Sequence, residues 1–276
     1  MNRTKIEWAT MTWNPVTGCK HGCEYCYARR ITERFGTLNK GPQPEDEGLS
    51  FVPDEPERFW ELDEPVRSEA GRVEPYPANF YPTLHRYRMK EPAQNKTPQN
   101  IFVCSMGDLF GEWVPDAWIA EVFDACRKAP WHRYLFLTKN AARYVALAKE
   151  GRLPLESNFW YGSTITVPED QFFFYKDAKT FLSMEPMLAE FNPEHYSGRF
   201  EGKLWLILGA MTGPGSKDHQ PKKEWVETVV RDARKIGLPV FMKDSLRAVW
   251  GKELIREYPA EMERLERPGI FYETSR

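Results

Sequence analysis

Long apolar runs are missing from this chain: nowhere in its 276 residues is there a stretch near the ~18–20 consecutive apolar residues that a membrane-spanning helix requires. Met1-Asn2-Arg3-Thr4-Lys5 leads into no apolar segment of the kind a secretory signal carries, so the expectation is a cytoplasmic protein with no membrane partner. An excess of charge of one sign is missing too. Lys and Arg number 38 against 40 Asp and Glu, a net of −2, and no overall basic field marks the chain as a binder of nucleic acid. Histidine is scarce, with five in all, and none has the paired spacing of a His-based metal site. Cysteine is scarce and odd in number, yet three of the five fall within eight residues. In a reducing compartment such a cluster points to metal ligation rather than to disulfides.

What is present is an α/β pattern. Short apolar runs at Ile101–Cys104, Tyr134–Leu137, Trp160–Gly162, Thr180–Leu182, Leu204–Leu208 and Pro239–Met242 read as buried parallel strands. Between them lie helical stripes. Trp118, Val122, Phe123 and Cys126 form one, and Trp225, Val229, Val230, Ala233 and Ile236 form another. With a short strand before the cysteines this makes six or seven βα units, which favours a full or partial (β/α) barrel over an open doubly wound sheet. Residues 41–100 differ in character. They hold ten of the 22 prolines, and residues 45–74 carry eleven acids against three bases. Aromatics such as Phe59, Trp60 and Tyr76 argue against plain disorder, so the segment is read as an ordered, irregular insertion in one domain spanning 1–276.

The strand ends carry the polar residues: Ser105-Met106-Gly107-Asp108, Thr138-Lys139, Ser163-Thr164, Ser183-Met184-Glu185 and Lys243-Asp244-Ser245. Parallel sheets and barrels bind ligands at the carboxyl ends of their strands, so these residues are expected to share one rim. The glycine-rich stretch Gly209–Gly215 matches neither the P-loop nor the dinucleotide fingerprint and is read as a rim loop. Cys104 and Cys126 sit on apolar faces and are expected in the core. For Asp108, Glu185, Lys139 and Lys243 the plainer alternatives are helix caps, ion pairs or solvated surface residues.

Cys19, Cys23 and Cys26 are spaced C-x3-C-x2-C, with Tyr25 just before the last. Three thiolates from one loop can face one metal centre, and without a fourth cysteine a cubane would keep one iron open. A zinc knuckle completed by His21 or a distant histidine is the other reading of the same spacing.

This spacing, placed after a first strand and before a helix, resembles the signature of the radical S-adenosylmethionine (SAM) superfamily. Within it, Lys5-Ile-Glu-Trp8, Thr12-Trp-Asn-Pro15, Ser105-Met106 with Asp108-Leu-Phe110, Leu137-Thr-Lys139, Leu182-Ser-Met-Glu-Pro186 and Phe241-Met-Lys-Asp-Ser245 are similar to segments of phage- and mobile-element-associated three-cysteine-motif proteins. The resemblance implies a partial (β/α) barrel and a [4Fe-4S] cluster on Cys19, Cys23 and Cys26. It further implies that the cluster cleaves SAM to a 5′-deoxyadenosyl radical, with an external one-electron donor of the flavodoxin or ferredoxin type. Tyr25, Ser105, Gly107, Asp108, Lys139, Ser163 and Glu185 are the residues expected around the cofactor. Asp108 is first among them for the methionyl amino group, although Met106-Gly107 stands where superfamily members often carry a glycine pair. A nucleic acid or nucleotide is the expected substrate, in part because residues 222–256 carry nine basic side chains among Trp225, Phe241 and Trp250. The contrasting expectation is a zinc- or cluster-stabilised binding protein without turnover, acting with a partner protein.

Overall fold

The computed structural model describes residues 1–36, 50–51, 60–191 and 204–262. In chain order the strands are β1 (Asn2–Arg3), β2 (Met11–Trp13), β3 (Val16–Thr17), β4 (Ser50–Phe51), β5 (Trp60–Leu62), β6 (Thr83–His85), β7 (Asn100–Val103), β8 (Arg133–Thr138), β9 (Phe159–Ile165), β10 (Lys179–Met184), β11 (Leu204–Leu208) and β12 (Val240–Met242). The α-helices are α1 (Tyr27–Phe35), α2 (Glu91–Gln94), α3 (Asp116–Arg127), α4 (Ala141–Lys149), α5 (Lys223–Lys235) and α6 (Arg247–Trp250). None of the described helices is long and apolar enough to cross a membrane.

The fold is α/β, built on an eight-stranded sheet ordered β1-β2-β7-β8-β9-β10-β11-β12. Every pairing from β2 to β12 is parallel, and only β1 runs antiparallel. Strand order follows chain order without the reversal that a doubly wound sheet shows. All six apolar runs read from the sequence are strands of this sheet. No pairing among the described residues joins β12 to β1 or β2.

Both faces are buried, which explains why these strands read as continuous apolar runs rather than as alternating ones. One face packs Ile101, Val103, Tyr134, Phe136 and Tyr161 against Trp118, Val122, Phe123 and Cys126 of α3 and Tyr144 of α4. Farther along the same face, Leu204, Leu206, Leu208, Val240 and Met242 pack against Val226, Val229 and Ala233 of α5. The α5 stripe is therefore turned slightly from the expected one. Ile236 lies past the helix end and is exposed, because the chain leaves α5 at Lys235 for the Gly237 turn.

The other face gathers Phe102, Leu135, Trp160, Phe181, Trp205, Ile207 and Phe241 around Trp8. The Trp8 ring lies 4.8 Å from Phe102 on β7 and 5.9 Å from Phe181 on β10. In a flat sheet, strands three apart would be about 14 Å from each other. One indole touching both means that the sheet curls around it and fills its concave side with aromatic rings.

The segment read as an irregular insertion contains more regular structure than its composition suggests. A second sheet, ordered β3-β6-β5-β4, takes β3 from the cysteine lead-in and the rest from residues 50–85. Residues 37–49 and 52–59 of that stretch lie outside the described residues. Arg86 ties this sheet to α3 by bonding Glu61, Asp63 and Glu121.

On the concave face a Cβ at Gly162 would stand 2.2 Å from the Phe181 ring. Gly162→Ala is expected to destabilise the protein by about 1–3 kcal/mol in urea unfolding, and Phe181→Leu in the same chain to recover part of that loss. A change within experimental error for Gly162→Ala would mean that the concave face is not packed as described.

Candidate functional site

The cysteine loop runs from β3 of the second sheet to α1. After Trp13 the chain passes Asn14 and Pro15 into β3, then turns at Gly18, whose φ is +86°. A Cβ on Gly18 would lie 2.2 Å from the Tyr81 carbonyl oxygen, so only glycine fits. Opposite it, a Cβ on Gly107 would lie 2.7 Å from the Gly18 oxygen. Gly107 thus makes room for the close approach of two backbones. The neighbouring Cys104 takes a φ of 59°, which turns the chain out of β7 and brings Ser105–Asp108 to the mouth of the sheet. Cys26 caps α1, its Sγ accepting from the Arg29 N–H at 3.4 Å. A thiolate there lies at the positive end of the helix.

One cavity of about 290 Å³ opens at the carboxyl ends of the parallel strands. Its lining includes Cys19, Cys23 and Cys26 together with Tyr25, Ser105, Gly107, Asp108, Lys139 and Glu185. Ser163 is the exception among the expected residues. It is buried on the convex face, where its hydroxyl accepts from Phe173 N at 2.9 Å, and its neighbour Thr164 lines the cavity instead. The floor is apolar, with Trp8, Phe102 and Leu137. Trp8 is almost fully buried, and its indole N–H has no hydrogen-bond partner among the described residues. A larger cavity of about 910 Å³ lies at the opposite strand ends and contains no cysteine.

Several expected cofactor contacts are already used within the protein. The Asp108 carboxylate is buried and accepts from Phe110 N at 3.0 Å, Thr138 Oγ1 at 2.9 Å and Lys139 N at 3.0 Å, and it bonds His21 Nε2 at 2.7 Å. Lys139 Nζ donates to the Tyr25 hydroxyl at 2.7 Å. Ser105 donates its hydroxyl to Asn14 Oδ1, and its carbonyl accepts from the Tyr27 hydroxyl. Asn14 Oδ1 also accepts from Met106 N. Neither Asp108 nor Glu185 caps a helix. Glu185 pairs with Lys243 on the part of the wall built by β10 and β12.

The sequence offered no site role for Asn14, offered His21 only as a zinc ligand, and put Thr164 on the rim without preferring it to Ser163. Asn14 and His21 had no partner within reach in sequence, and their acceptors and donors lie more than 80 residues away. Thr164 could not be told from Ser163, because a strand buried on both faces shows no alternation.

Within residues 222–256, Phe241 and Trp250 are buried, Trp225 is half-buried with Lys222 Nζ 5.4 Å from its ring centre, and several basic side chains form ion pairs, with Arg231 and Lys235 on Asp232, Arg234 on Glu257, and Lys223 and Lys252 on Glu227.

A metal or cluster at the mouth is tested by the donor set itself. Burial pushes the Cys19 thiol up to about 12; the His21 backbone N–H lowers it, and the nearby Asp108, Cys23 and Cys26 add to the rise. A buried thiol such as Cys19, set beside a carboxylate, resists ionisation until a cation joins it, and a metal centre would supply that cation. In this respect the residues fit a thiolate-bound centre. Among the described residues, no three His, Cys, Asp or Glu side chains yet stand close enough together to hold an ion. Binding would have to draw the three sulfurs inward.

In the metal-free protein, Cys19 is expected to be the slowest of the three to react with iodoacetamide near pH 8, its rate climbing about tenfold per pH unit up to pH 10. Peptide mass spectrometry follows each site separately. A Cys19 rate that levels off below pH 9 would contradict the raised value.

The sequence profile of a family described as "Protein of unknown function (DUF5131)" matches residues 3–265. No curated protein and no solved structure matches the chain.

Proposed function

We propose that this chain, which belongs to the DUF5131 family, is a radical SAM enzyme whose curled parallel sheet is a partial (β/α) barrel. Cys19, Cys23 and Cys26 would hold a [4Fe-4S] cluster, with SAM beside it in the cavity. The observation that carries this reading is the gathering of all three C-x3-C-x2-C thiols into one cavity at the carboxyl ends of parallel strands. A cluster held by Cys19, Cys23 and Cys26 would supply the one-electron chemistry for reductive cleavage of SAM, and so hydrogen abstraction from a substrate.

The chain's own residues bind, orient and exclude water. Cys19, Cys23 and Cys26 would hold a cluster through three thiolates, without a fourth protein ligand from the motif. Glu185 and Lys243, paired in the absence of ligand, offer a carboxylate for an ammonium group and an ammonium for a carboxylate. At the floor, the Trp8 indole N–H is buried and has no partner among the described residues. Trp8, Phe102 and Leu137 keep that floor dry, which protects a reactive radical from side reactions. The reducing power comes from a flavodoxin- or ferredoxin-type partner in the cytoplasm.

One observation favours a second reading. His21 bonds the Asp108 carboxylate through one ring nitrogen, the arrangement that often orients a zinc-ligating imidazole. Cys19, Cys23, Cys26 and His21 would then form a closed Cys3His zinc site in a binding protein without turnover.

Anaerobic reconstitution with iron and sulfide, followed by dithionite and SAM, is expected to yield 5′-deoxyadenosine, and Cys→Ala at any of positions 19, 23 or 26 to reduce it to background. Turnover surviving in those variants would end the radical SAM reading. Lys243→Ala is expected to keep the iron and to weaken SAM binding about tenfold or more, as loss of a charge-assisted contact does. Unchanged affinity would leave the Glu185–Lys243 pair a structural contact.

A further inference from the structure

Three side chains of the cysteine loop and its helix reach across to the strand ends: His21 to Asp108, Tyr25 to Lys139 and Tyr27 to the Ser105 carbonyl. The first differs in kind. Its partner is a buried carboxylate that the body of the fold already holds in place, through Phe110 N in the turn after β7 and through Thr138 Oγ1 and Lys139 N at the end of β8. Phe110 N meets Oδ1 and the two β8 donors meet Oδ2, where His21, the one donor of the four that comes from the cysteine loop, joins them. The His21 ring is also fixed from the side. It meets the Trp113 ring edge-on at 4.8 Å, and Trp113 itself rests on Gly111, where a Cβ would lie 2.4 Å from the indole.

His21 stands midway between Cys19 and Cys23, two residues from each. We infer that His21 is a positioning residue: by donating to Asp108 it pins the loop to the β7 and β8 ends, and so holds Cys19 and Cys23 at the cavity wall. Its consequence for a bound cluster rests on the proposed function; the pinning of the loop does not. Positioning is distinct from ligation. A ligand acts through its own lone pair, whereas a pin acts through a donor that another side chain can supply.

The test uses the full chain in two states. In the metal-free protein, His21→Ala is expected to raise the iodoacetamide rate at Cys23 about tenfold, the scale on which a hydrogen bond to a charged acceptor restrains a loop. His21→Gln carries an N–H donor to nearly the same reach and is expected to return the rate to within about twofold of the original. His21→Ala is expected to lower the thermal midpoint modestly, because it removes one of four donors from the buried Asp108 carboxylate, and His21→Gln to restore most of it. In the iron-reconstituted protein, His21→Ala is expected to alter the electron paramagnetic resonance spectrum of the reduced cluster, and His21→Gln to retain the original one. An unchanged alkylation rate in His21→Ala overturns the inference. So does equal acceleration in both variants, because the donor is the claimed cause. Loss of all bound metal from both variants, with alkylation unchanged, would make His21 a ligand instead. If the unaltered protein takes up no iron, the radical SAM reading fails while the alkylation rates still decide the role of His21.

Discussion

Asp108 is a buried carboxylate, and such a group is costly unless its oxygens are met by donors. Here four donors meet it: two from the end of β8, one from its own turn and one from the cysteine loop. Much of the mouth follows from that requirement. The strand ends are fixed to each other, the loop is fixed to the strand ends, and Asp108 is spent on structure before any ligand arrives. Lys139 and Ser105 are likewise occupied, by Tyr25 and by Asn14 and Tyr27. The Glu185–Lys243 pair, Thr164 and Ser183 line the cavity as well. The roles therefore divide between two parts of the wall. The side formed by β2, β7 and β8 packs against the cysteine loop, and the side formed by β9 to β12 carries Thr164, Ser183 and the Glu185–Lys243 pair.

Curling makes this division possible. A flat parallel sheet would leave Phe102 and Phe181 too far apart for Trp8 to touch both. Closed around that indole, the concave face is solid with aromatic side chains below and polar at its upper rim. The convex face needs only α3, α4, α5 and the Phe173 segment to cover it. Glu7 adds a clasp near the open side, where its carboxylate accepts from Asp244 N and from Arg256 just beyond β12.

Much of this was legible in the sequence because parallel strands buried on both faces leave an unmistakable trace. Each of the six apolar runs became a strand of one sheet, and most of the polar residues following them came to one cavity, with Ser163, Asp244 and Ser245 outside its lining. Ser163 was misplaced for the same reason that its strand was found: with no alternation in Phe159–Ile165, nothing told which of Ser163 and Thr164 faces inward. The small second sheet was hidden by its composition, since proline and acidic residues between short strands read as loop. The partnerships of Asp108 were invisible for another reason. Its distant donors, His21 and Thr138, lie 87 and 30 residues away, and no periodicity records a contact of that range.

The central claim is an open iron that SAM can reach, and the most direct measurement is electron paramagnetic resonance of the anaerobically reconstituted, dithionite-reduced protein with and without SAM, alongside metal analysis. The account predicts about four irons per chain, as one cubane on three thiolates requires, and a spectrum that shifts when SAM is added. A protein that binds one zinc and no iron, or a cluster whose spectrum ignores SAM, would contradict it.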